Sequence, residues 1–149
     1  MYLGEWIADI ILWIGWFVPK DLESDRSDML KECLLVMLGG GVGAVLRYAV
    51  SIVLSKKLVN KHWATFWVNI TGCVLLGLLF NKTLAYGTDL HIFLIVGIIG
   101  SYTTFSAFEY ENIDLIAHEK YLEFLKYSSF SCVFAFISVF VGFYIAKLI

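Results

Sequence analysis

Gly100-Ser-Tyr-Thr-Thr-Phe-Ser-Ala-Phe108 follows an apolar run, residues 92–99, and sets Ser101, Tyr102, Thr103, Thr104 and Ser106 in the middle of a long hydrophobic stretch. Hydroxyls and glycine at this density make a poor continuous helix facing lipid, so a break at residues 100–104 is expected. In hydrocarbon every unpaired N–H or C=O is costly, and non-helical backbone is tolerated only where protein surrounds it or it lines a watery cavity. A break there offers two kinds of chemistry. Freed carbonyl oxygens suit a hard cation such as sodium, while hydroxyls and half-helix N-termini suit an anion.

Other residues bear on an anion path. Phe105 and Phe108 are i, i+3 and share one side of the helix that follows the break. Core packing is the ordinary role of such a pair, but a ring edge carries positive quadrupole density and can face an anion. Asn69 sits in the first half of another apolar segment. A carboxamide at that depth must find partners, either as glue between helices or as a donor to a transported species. Tyr127 and Ser131 are i, i+4 and make a hydroxyl track on one helical face, or else serve to satisfy helix carbonyls. Arg47, near the end of a third segment, could attract an anion to the mouth of a path.

These residues must be positioned by a membrane-embedded bundle. Of 149 residues, 60% are hydrophobic and only 16% charged, and the mean hydropathy is +0.79, against roughly 25% charged residues in a soluble domain. Apolar spans are expected at 33–54, 63–80, from 92 through the break, and at 127–145. Gly39 and Gly43 have the spacing that lets two helices approach closely. Residues 81–91 read as a turn-rich connection, and 114–126 as amphipathic. Residues 1–28 differ. Residues 2–18 are short for a span, carry Glu5 and Asp9 one turn apart, and include Trp6, Trp13 and Trp16, which suits an amphipathic helix lying in the interface. A polar linker, 20–28, follows it, and no cleaved-signal pattern opens the chain.

With four spans, and with Arg47 set aside inside the end of one, the other Lys and Arg residues divide evenly. Lys20, Arg26, Lys31, Lys82 and Lys147 fall on one side, and Lys56, Lys57, Lys61, Lys120 and Lys126 on the other. Lys/Arg bias sets membrane orientation, so an even division points to insertion in both orientations and an antiparallel homodimer. A partner's break would then lie opposite, and a metal ion on the two-fold axis becomes natural. The net charge of −2 and the lack of a basic cluster exclude a nucleic-acid partner. Cys33, Cys73 and Cys132 lack metal or redox spacing and read as small buried hydrophobes.

Three blocks carry a resemblance: Gly39-Gly-Gly-Val-Gly-Ala-Val-Leu-Arg-Tyr48, Val68-Asn-Ile-Thr-Gly-Cys-Val-Leu-Leu-Gly77, and the Gly100 to Phe108 stretch. Together they resemble, in order and spacing, the signature blocks of the Fluc (CrcB-type) family of bacterial fluoride channels, over residues 29–149. The resemblance implies an all-α integral membrane protein of the bacterial plasma membrane. It implies four transmembrane helices per subunit, the third broken near the midplane, in an antiparallel dual-topology dimer. It implies two passive fluoride-selective pores that export cytoplasmic fluoride, and a structural sodium ion at the dimer centre. Carried over by position, the sodium ligands are the carbonyls of Gly100 and Thr103. The pore residues are Asn69, Thr104, Phe105, Ser106, Phe108, Tyr127 and Ser131, and the vestibule residues are Arg47 and Glu111. Two positions depart from the family pattern: Ser101 stands where a second glycine is usual, and Ala107 where a threonine is.

Other classes fit the sequence less well. A proton-coupled small-solute exporter of the small multidrug-resistance type is also a four-span dual-topology dimer, but it relies on a carboxylate in the first span, and residues 33–54 contain none. A non-transporting interaction protein has only the Trp-rich N-terminus in its favour. An enzyme is disfavoured because no His, Asp or Cys cluster has catalytic spacing.

Overall fold

The computed structural model describes residues 26–58 and 60–148. The interfacial helix expected at 2–18 lies outside these residues. The chain divides into two units, Met1–Lys31 and Glu32–Ile149, and the helix packing below is that of the second.

The described chain runs α1 (Arg26–Lys57), α2 (His62–Tyr86), a short α3 (Thr88–His91), a π-helix π1 (Ile92–Ile99), α4 (Gly100–Tyr102), α5 (Phe105–Ala117) and α6 (Tyr121–Leu148). No strand occurs among the described residues. Four stretches, Ser27–Lys57, His62–Phe80, Thr88–Ala117 and Tyr121–Leu148, are long and apolar enough to cross a membrane. Helices are what a bilayer demands, because they pair their backbone groups within the segment. The chain is a multi-pass membrane protein.

The helices outrun the apolar stretches that mark them. The polar linker expected at 20–28 gives way to α1 from Arg26 onward. The connection expected at 81–91 is mostly helix, because α2 continues to Tyr86 and α3 starts at Thr88. Only Gly87 departs, at φ 113°, a conformation that glycine adopts without strain. The last helix begins at Tyr121 rather than Tyr127. It is separated from α5 by a Schellman turn in which Lys120 N–H donates to Leu115 O and Glu119 N–H to Ile116 O. Glu119 holds the left-handed position at φ 59°, where glycine is the usual occupant.

Glycines set the helix crossings. A methyl group on Gly39 would meet Phe93 O and the Gly97 backbone, and one on Gly43 would meet Ile98 O, so α1 lies directly on the main chain of π1. The Gly39-x-x-x-Gly43 pair thus makes the close approach that its spacing suggests. A second crossing joins α2 to α6, with Gly77 against Val139 and Phe143, and Gly142 against Val74 and Leu78. Helix α2 is central: a third of its apolar window is buried, against about a tenth for each of the other three spans. Around its first half lies a core of Phe66, Phe108, Leu115 and Tyr127, with Trp63, Ile70 and Phe124 packed against it. Large side chains such as Phe136, Phe140 and Tyr144 on α6 face outward, as suits a helix whose surroundings are hydrocarbon.

Candidate functional site

The regular backbone stops beside α2. Gly100 is helical, at φ −59° and ψ −35°, whereas Thr103 (φ −75°, ψ 152°) and Thr104 (φ −147°, ψ 119°) are extended. The departure from helix therefore falls at the two threonines rather than at the glycine. Residues branched at Cβ fit extended backbone well. Thr103 still holds the end of α4, its N–H and Oγ1 both donating to Ile99 O at 3.0 and 3.1 Å. Thr104 caps α5, accepting from Ala107 N–H at 3.3 Å, and its hydroxyl lies 3.2 Å from that of Ser106.

Asn69 grips this extended backbone from α2. Thr104 N–H donates to Asn69 Oδ1 at 2.8 Å, and Asn69 Nδ2 donates to Thr104 O at 3.1 Å. The carboxamide thus pairs with the main chain of one residue as a neighbouring peptide would. Gly100 is affected in turn: its carbonyl loses the helical donor four residues on, because Thr104 N–H is committed to Asn69. Close by, Tyr102 OH and Thr71 Oγ1 are 3.0 Å apart, and the Thr103 methyl rests where Gly72 has no side chain. The Ser101 hydroxyl fits against Gly40 of α1. Residues 100–102 are helical, so serine at 101 carries no conformational cost.

A second cluster adjoins the first. Glu111 on α5 accepts from Tyr127 OH at 2.6 Å and from Thr65 Oγ1 at 2.7 Å. Tyr127 is wholly buried and Thr65 nearly so, so two helices deliver hydroxyl donors to one carboxylate inside the bundle. Such charge-assisted hydrogen bonds offset the cost of placing the charge there. Rings connect this cluster to the break. Tyr127 lies 5.3 Å from Phe108, and Phe108 lies 5.8 Å from Phe105, by centroids. The two phenylalanines differ sharply, with Phe108 7% exposed and Phe105 74%. Only the first is core; the second presents its ring outside the subunit.

Ser131, one turn beyond Tyr127, is buried at its oxygen. Its hydroxyl has no hydrogen-bond partner among the described residues. Asn112, also buried, receives a 3.4 Å hydrogen bond from Ser128. Glu111 opens on its other side into a cavity of about 430 Å³, also lined by Lys61, His62, Asp114, Lys120 and Glu123. The residues singled out from sequence are thus largely gathered: Asn69 with Thr104 and Ser106, and Phe105 with Phe108, Tyr127, Ser131 and Glu111. Arg47 is the exception, half-buried on α1 with no hydrogen bond or ion pair to either cluster among the described residues. Thr65 was not singled out, although its place four residues before Asn69 puts it on the same helical face.

Four helices of membrane-crossing length, with hydroxyls, a carboxamide and a carboxylate hydrogen-bonded between them, define a multi-pass membrane protein. The chain belongs to the CrcB-like family: the model described as "CrcB-like protein, Camphor Resistance (CrcB)" matches residues 34–143. Among curated relatives, the fluoride-specific ion channel FluC of Flavobacterium psychrophilum is 41% identical over 122 residues, covering 79% of this chain and 98% of that one. The FluC of Phocaeicola vulgatus is 36% identical over 121 residues, covering 79% and 100%. FluC 1 of Listeria monocytogenes is 42% identical over 115 residues, covering 76% and 96%.

Proposed function

We propose that this protein is a passive, fluoride-selective channel of the bacterial plasma membrane that exports cytoplasmic fluoride. The observation that carries the reading is the file of rings and polar groups that runs from the Glu111 cavity through Tyr127 and Phe108 to Phe105 beside Thr104, in a chain whose relatives bear the name fluoride-specific ion channel. Fluoride is small and tightly hydrated, so a path must offer short, hard donors in place of water. Tyr127 OH and Thr65 OH are such donors. Each is held by Glu111 when no anion is present and can turn to a fluoride that reaches it. The edges of Phe108 and Phe105 continue the path with weaker positive potential, and Ser106, Ser131 and the second Asn69 amide hydrogen add polar contacts. Arg47 is assigned to the outer vestibule, where a cation raises the local concentration of anions.

The assembly is an antiparallel dual-topology homodimer with two pores, its third membrane helices broken near the midplane. The outward ring of Phe105 and the even Lys/Arg division support it. A sodium ion at the dimer centre is held by the carbonyls of Gly100 and Thr103. In support, Gly100 O is released by the Asn69 clamp, Thr103 has left the helix, and carbonyl oxygens suit a hard monovalent cation. When bound, that ion supplies fixed positive charge and ties the two breaks together.

Proteoliposomes loaded with fluoride are expected to release it without a proton gradient, while chloride stays inside. Comparable chloride release would overturn the selectivity. Proton-driven uptake with no passive leak would favour the exporter, for which Glu111 is an embedded carboxylate, though one on the third span and already accepting from two hydroxyls. Phe108→Ile and Phe105→Ile are each expected to slow fluoride release about fivefold, since each removes one edge contact of about 1 kcal/mol. Phe105→Ile leaves the subunit core untouched. Wild-type rates in both variants would remove the rings from the path.

A further inference from the structure

His62 opens α2 and belongs to none of the groups assigned above, yet it completes their geometry. Its ring lies 5.0 Å from that of Tyr127 and 5.7 Å from that of Trp63. It lines the same cavity as Glu111, so the aromatic file continues from Phe105, Phe108 and Tyr127 to an imidazole at the cavity wall. Resting on the channel reading, we propose that His62 is the entry residue of the anion path, an imidazole whose protonation draws fluoride from the cavity toward the Tyr127 hydroxyl.

Every element around the cavity contributes charge. Lys61 adjoins His62 in sequence; α5 presents Glu111, Asp114 and His118; Lys120 follows in the turn; and α6 presents Glu123 and the Tyr127 phenol. Between pH 5.5 and 7.5 imidazole is the side chain whose ordinary range falls in the window, and the His62 variants below separate its charge from that of half-buried Glu111. His118 differs from His62 in two ways. It is paired with Asp114 at 3.4 Å, and it is the ring of His62, not that of His118, that lies against Tyr127. His91 lies beyond the far end of α2, held by Thr83 at 2.9 Å, away from this cavity. The sign is fixed: acid charges His62 and favours an anion at the mouth, and alkali removes that charge.

A unit charge one side chain away from an ion in a watery vestibule changes its local concentration about threefold. Fluoride currents recorded across planar bilayers at symmetric pH count only the charged species. Wild type is expected to carry about threefold more current at pH 5.5 than at pH 7.5. His62→Phe keeps a ring beside Tyr127 but cannot be charged, and its ratio of the two currents is expected to fall to about one. His62→Lys stays charged throughout, so its ratio is also near one, while its current at pH 7.5 exceeds that of His62→Phe about threefold. His118→Gln is expected to retain the wild-type ratio. A flat wild-type profile, a threefold ratio surviving in His62→Phe, or equal currents in the Phe and Lys variants would each overturn the assignment of His62 alone. Absence of any fluoride current in wild type would overturn the channel reading with it.

Discussion

Asn69→Asp is expected to cut fluoride efflux about a hundredfold, equivalent to about 2.7 kcal/mol on the barrier. An aspartate preserves the shape of the side chain and still accepts from Thr104 N–H, now 2.8 Å from Oδ1. Its other oxygen, however, falls where Nδ2 donates to Thr104 O at 3.1 Å. A donor is exchanged for a negative oxygen facing a carbonyl, so one hydrogen bond is lost and a repulsion takes its place. A buried acceptor left unpaired costs about 1–3 kcal/mol, and the new charge also repels an approaching anion. Efflux from proteoliposomes is the measurement, with the elution volume of the detergent-solubilised protein as the check on folding. Undiminished efflux would show that neither the clamp nor the neutrality of residue 69 matters to conduction.

Glu111→Ala is expected to reduce both stability and efflux, the latter at least tenfold. The carboxylate is the shared acceptor of Thr65 and Tyr127, and those residues are 7% and 0% exposed. Truncation therefore orphans two hydroxyls, at about 1–3 kcal/mol each. The triple variant Thr65→Val, Glu111→Ala, Tyr127→Phe separates the two effects. Removing all three polar groups is far less costly than removing one, so its thermal midpoint should recover toward wild type. Efflux should not recover, because the donors proposed to receive fluoride are gone. Recovery of efflux in the triple variant would exclude the hydroxyls from the path, and an unchanged midpoint in Glu111→Ala would mean the network contributes nothing to stability.

The four spans were legible because repeated apolar runs of membrane length have no place in a water-soluble chain of this size. Their ends were not, since a helix persists past its hydrophobic stretch for as long as its backbone stays paired. Thus 81–91 reads as a loop yet is helical save at Gly87. The place where the third segment leaves helical geometry was legible only to within a few residues: glycine drew attention to position 100, but the extended residues are Thr103 and Thr104. The face shared by Phe105 and Phe108 followed from spacing, whereas their unequal burial did not, because it depends on what α6 brings alongside. Thr65 could not be ranked above any other hydroxyl from sequence, since its partner Glu111 is 46 positions away and only the fold brings them together.

The pairing of Asn69 with residue 104 also has an evolutionary consequence. Both of its hydrogen bonds end on main-chain atoms, so the tie between the two segments is indifferent to which side chain residue 104 carries. Position 69, in contrast, must supply a donor and an acceptor at fixed separation from a short stem. A substitution at 104 therefore alters the cap of α5 without removing this tie. Substitution at 69 has no such latitude, and robustness is divided unequally between two residues that share a single contact.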